Sequence, residues 1–133
     1  MGYVFGTIVL VVAGLFSLLT TWTSGTAPRE FAARLGLAVV DGGGVNEIRA
    51  QYAGFFLAAA LACGAALVGW LPRQAAFVVL LVIFGGLICG RVASLAIDGG
   101  IAGYGPTIRA LYAIDAIGLC LAIAALVLDR TPV

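Results

Sequence analysis

Apolar residues fall along this chain in four long blocks, separated by short stretches where charge, glycine and proline gather. Crossing a bilayer takes about 20 largely apolar residues. On that basis the pattern predicts helices over roughly 3–22, 46–70, 74–97 and 108–128. The Leu71-Pro72-Arg73 break ends the second, because proline cannot continue a helix and disfavours one just before it. Asp98–Thr107 carries four glycines and Pro106 and reads as a loop. Trp22 and Trp70, at block ends, fit interfacial anchors. The first block has no basic stretch before it, is too long for a signal-peptide core and leads to no clean small-residue cleavage pattern. It is therefore expected to be a retained helix. Gly2 starts no myristoylation motif, since position 6 is Gly.

The longest connection, Thr23–Val45, holds a short amphipathic segment. Pro near its start and Gly at its end predict an interfacial helix at roughly 28–36, with Phe31 and Leu35 facing inward. Asp41-Gly42-Gly43-Gly44 then reads as a flexible turn. It lacks the G-K-[ST] and the preceding strand that a phosphate loop needs.

Composition removes the soluble alternative. Of 133 residues, 63% are hydrophobic and 10% charged, with mean hydropathy +1.18. A soluble domain is about 45–50% apolar and about 25% charged. The predicted fold is therefore an all-α integral-membrane four-helix bundle, one domain over 1–133. The chain has no His, and all seven basic residues are Arg. That excludes imidazole chemistry and Schiff-base lysines, and no metal or cofactor is expected. Cys63, Cys89 and Cys120 stand singly in apolar blocks and read as packing residues. A net charge of +1 excludes a nucleic-acid partner.

Four crossings put both termini on one face of the membrane and the first and third loops on the other, here called side A. The ionisable residues in or beside the blocks cluster toward side A: Glu47 and Arg49, Arg91 and Asp98, Arg109 and Asp115. Arg73, Asp129 and Arg130 fall on the opposite face, side B. Counting Arg49, Arg91 and Arg109 places side A in the cytoplasm; without them the positive-inside count ties.

An internal echo sharpens the picture. Ile48-Arg49-Ala50-Gln51-Tyr52-Ala53 recurs as Ile108-Arg109-Ala110-Leu111-Tyr112-Ala113, with five of six positions identical. Both copies open an even-numbered block, as two similar helix pairs related by an axis along the membrane normal would produce. Arg and Tyr three apart share a helix face. If both pairs face the interior, two guanidiniums and two phenols converge near side A. Arg91 and Asp115 lie deepest and are expected to pair, because a charge within a span needs a partner or water. Glu47 has Arg49 or Arg109 in reach, and Asn46 is placed to cap the second helix.

Two readings of these residues stay open. In one they are polar glue between helices, aided by close contact at Gly86-x-x-x-Gly90. In the other they line a side-A pocket of Asn46, Glu47, Arg49, Tyr52, Arg91, Asp98, Arg109, Tyr112 and Asp115. Arginine suits such a pocket because its planar fork takes carboxylate or phosphate oxygens in pairs. No nucleophile–base pair or metal set accompanies them, so a non-enzymatic protein is expected. Its ligand would be an anionic or polar small molecule, a lipid headgroup or a quinone. The alternatives are a small proton-coupled transporter acting as a dimer, or a structural accessory subunit. Expected partners are the lipid bilayer and a second copy of the chain or a larger membrane complex.

Gly44-Val45-Asn46-Glu47-Ile48-Arg49-Ala50-Gln51-Tyr52-Ala53-Gly54 resembles a motif of an uncharacterised bacterial four-helix membrane family. That family typically has an Asn, an Arg and a Tyr-Gly-Gly-like step here, and this chain carries Ala53 at the first small position. The family is distantly similar to the DoxX-like proteins, some of which are linked to quinone-coupled redox complexes. The resemblance implies the four-helix architecture, a bacterial inner (plasma) membrane location and interest in Asn46, Arg49 and Tyr52. It implies no assigned activity.

Overall fold

The computed structural model describes residues 1–129; Arg130, placed on side B by the sequence pattern, lies outside the described residues. Five helices follow one another with no strand among the described residues. They are α1 (Gly2–Thr26), α2 (Pro28–Arg34), α3 (Gly42–Leu67), α4 (Arg73–Asp98) and α5 (Pro106–Leu128). All but α2 are long and apolar enough to cross a membrane, and the chain is a multi-pass membrane protein with an all-α four-helix bundle. The breaks have local causes. At the end of α3, Gly69 takes φ +80°, while the N–H groups of Trp70 and Leu71 return to the Ala65 carbonyl. Gly99 at φ +71° ends α4 in the same left-handed region, and Pro106 opens α5.

The start of α3 corrects two expectations. Asp41-Gly42-Gly43-Gly44 is no flexible turn, since Gly42 opens the helix and the Asp41 carboxylate accepts the Gly44 N–H at 2.9 Å. Asp41 is therefore the cap, and Asn46 lies a full turn inside the helix. A triple glycine disguises a helix start, whereas the capping carboxylate just before it is the informative residue.

Midway, α3 widens into a π-helical turn over Arg49–Gly54, where the Phe55 N–H reaches back to the Ala50 carbonyl. A π turn loosens the backbone ladder, and such turns gather at functional sites. Here α1 supports it: Thr21 Oγ1 donates to the Ala53 carbonyl at 3.2 Å. Four more α1 hydroxyls serve their own helix. Thr20, Thr23, Ser24 and Thr26 each donate to a carbonyl four residues back, which lets them sit in a low-dielectric span.

α1 packs most extensively on α3, and α4 on α5, so the bundle is two tight pairs joined side by side. One seam, α1 on α5, holds a small apolar cavity of about 170 Å³ with α4, and the other, α3 against α4, is the more open. The buried core lies toward side B, around Leu10, Cys63, Phe77, Leu80 and Ala122. Toward side A the second seam opens.

Candidate functional site

Between α3 and α4 lies a cleft of about 1120 Å³, open along one side. That is slightly above the roughly 300–1,000 Å³ typical of small-molecule sites. Its walls are apolar, from Phe55, Ala58 and Ala62 on one helix to Val78, Val82 and Ile83 on the other. Polar groups gather at the side-A end: Tyr52, Arg91, Ser94, Tyr104 and Tyr112. Gly86 and Gly90 hollow out the α4 wall. A Cβ added at either meets no atom within 4 Å. The expected close helix contact at Gly86-x-x-x-Gly90 is therefore absent, because these glycines face the open seam.

Arg91 is seven residues from the end of α4, about 10 Å below it along the axis. Its Nε donates to Asp115 Oδ2 at 2.5 Å, across to α5, where Asp115 is 2% exposed. The guanidinium also lies 5.4 Å from the centre of the Tyr112 ring, whose hydroxyl donates to the Arg91 carbonyl at 2.9 Å. Tyr112 stacks on Tyr104 at 6.0 Å. Tyr104 in turn donates to Asp98 Oδ2 at 2.6 Å, and Ser94 donates to the same oxygen at 3.0 Å. That hydrogen bond to the Asp98 carboxylate pushes the Tyr104 phenol above its ordinary 10.0. Tyr104 sits in the α4–α5 loop and is a site residue the sequence pattern missed. Its one signal was position, between Asp98 and Arg109.

Of the candidate residues, Tyr52, Arg91 and Tyr112 line the cleft, Asp115 supports it from behind, and Asp98 fastens Tyr104 at its rim. The others do not enter. Arg49 Nε donates to the Gly25 carbonyl at 3.2 Å. Arg109 donates to the Tyr104 and Ala102 carbonyls at 2.9 and 3.2 Å. So of the repeated Arg–Tyr pairs both phenols border the cleft and neither guanidinium does. Each arginine turns to loop or helix-end carbonyls, which a long flexible side chain at the interface reaches easily. Glu47 and Asn46 are exposed and, among the described residues, have no side-chain hydrogen bond or ion pair. Glu47 therefore pairs with neither Arg49 nor Arg109. Tyr52 packs edge-on against Phe31 of α2 at 4.9 Å, so α2 braces one lip of the cleft.

A second charged cluster lies at side B. Arg73 meets Asp129 at 2.6 Å, with Asp129 fully buried. Arg73 also donates to the Tyr3 carbonyl at 3.0 Å and Thr7 Oγ1 at 3.1 Å, and it stands 4.3 Å over the Tyr3 ring. Gln74 donates to the Asp129 carbonyl. This clamp joins α1, α4 and the end of α5.

The three cysteines remain unpaired, and among the described residues no group of His, Cys, Asp or Glu could hold a metal ion. Comparison with family models, curated proteins and solved structures finds no match.

Proposed function

We propose that the chain is a non-enzymatic membrane protein, of an uncharacterised four-helix kind distantly similar to DoxX-like proteins, in a bacterial inner membrane, that binds an amphiphile entering sideways from the bilayer. The observation that carries this reading is the cleft itself. One seam of the bundle is left unfilled, with apolar walls along its length and hydrogen-bonding groups at one end. An amphiphile has the same layout, with its chain against Val78, Val82 and Phe55 and its head beside Arg91 and Tyr52. Gly86 and Gly90 favour the reading over helix glue. Small residues that served packing would be covered, and these face open space.

Gly86→Leu tests it. A Cβ there meets no atom within 4 Å and Gly86 lines the cleft, so the fold is expected to be retained while the side chain narrows the cleft. Native mass spectrometry of the detergent-purified protein is expected to show a co-purifying lipid or added acyl probe on the wild type and its loss in the variant. Equal occupancy in both would reject the cleft as the binding site.

A further inference from the structure

We infer that the cleft selects an uncharged amphiphile whose head offers hydrogen-bond acceptors, such as an ester or ketone carbonyl, over an anionic one. This rests on the cleft being the binding site and adds the class of ligand. Arg91 is the sole charged side chain among the cleft's lining residues. Its charge is already balanced by Asp115 at 2.5 Å, and Asp115 is buried behind it, where a membrane interior screens little. A carboxylate or phosphate arriving at Arg91 would share the cation with Asp115 and bring the two anions together. Asp98, at the rim, adds further negative charge.

Hydrogen-bonding capacity points the same way. The hydroxyls of Tyr112, Tyr104 and Ser94 are committed to the Arg91 carbonyl and the Asp98 carboxylate. What remains are donors: the two terminal amino groups of Arg91, since only Nε is engaged, and the Tyr52 hydroxyl, which has no partner among the described residues. A polarised but neutral carbonyl oxygen accepts from such groups without demanding a countercharge. Desolvating a neutral head on leaving the interface also costs far less than desolvating an ion.

The test uses two probes with the same chain and different head charge, oleate and methyl oleate, at a pH that keeps oleate ionised. Binding to the solubilised protein is read by native mass spectrometry for wild type, Asp115→Asn and Gly86→Leu. Taking the ester-to-carboxylate ratio in each protein cancels partition of the probes into detergent. The wild type is expected to favour methyl oleate. Asp115→Asn leaves the guanidinium uncompensated and should shift the ratio toward oleate by at least about tenfold. Gly86→Leu should bind neither. A wild-type preference for oleate, or a ratio unmoved by Asp115→Asn, would overturn the choice of head while leaving the cleft as the site. Binding that survives in Gly86→Leu would overturn the cleft reading instead. Should Asp115→Asn fail to accumulate, the wild-type ratio alone decides.

Discussion

The two ends of the bundle each hold an arginine–aspartate pair linking α4 to α5, yet they are built for opposite purposes. At side B, Arg73 donates through Nε and one terminal nitrogen to Asp129, the Tyr3 carbonyl and the Thr7 hydroxyl, and tight packing closes round it. Gly6 shows how tight: a Cβ there would overlap the Asp129 carboxylate and come within 2.9 Å of Arg73 and Phe77. At side A, Arg91 engages Asp115 through Nε alone and turns its other nitrogens to an open cleft. The same two residue types make a clamp where the guanidinium holds three partners and a binding group where it holds one. What separates them is how many neighbours arrive, which an inventory of charges does not show.

Removing each arginine gives the largest expected contrast. Arg73→Ala strands the fully buried Asp129 and should cost about 3–5 kcal/mol, read as a lower thermal midpoint in detergent. Arg91→Ala removes a single hydrogen bond to Asp115 beside an open cleft, so the loss should be smaller, about 1–3 kcal/mol. Equal losses would erase the distinction between clamp and site.

A matched pair of glycine substitutions comes next. Gly6→Ala overpacks the side-B clamp and should destabilise by about 1–3 kcal/mol. Gly86→Ala meets nothing within 4 Å and replaces glycine inside a helix, so it should stabilise by about 0.5–1 kcal/mol. Thermal unfolding of the two variants beside wild type checks both signs.

The smallest effect concerns the rim. The Tyr104 phenol has its folded-state value raised above 10.0 by Asp98. Its hydrogen bond therefore supports the loop fully below the ordinary value and is lost as pH rises through the raised one. A phenolate absorbance titration should show Tyr104 ionising later than an ordinary tyrosine, and Asp98→Asn should return it toward 10.0. A titration that Asp98→Asn leaves unchanged would detach the rim from the site.

Much of this was legible from the sequence, for reasons that particular residues make clear. The four helices follow from apolar length, which nothing short of a membrane accommodates. Arg91 and Asp115 could be foreseen as partners because charges that deep have few alternatives. Arg73 and Asp129 could not, since 56 positions separate them and both stand at helix ends where snorkelling to water is the ordinary outcome. The direction of Gly86 and Gly90 was hidden because a glycine marks no face. That Tyr52 and Tyr112 both border one cleft was readable from the repeat, but the turn of Arg49 and Arg109 away from it depends on carbonyls at Gly25, Ala102 and Tyr104 that only the folded chain places. The π turn at Arg49–Gly54 left no mark in residue type at all.

Photo-crosslinking tests the central claim most directly, using a fatty-acyl ester with a light-activated group midway along its chain and mapping the labelled residues. The account predicts labels on the facing walls, at Ala58, Ala62, Val78 and Val82, that disappear in Gly86→Leu. Labels spread evenly round the lipid-facing surface of all four helices, unchanged by that substitution, would contradict it.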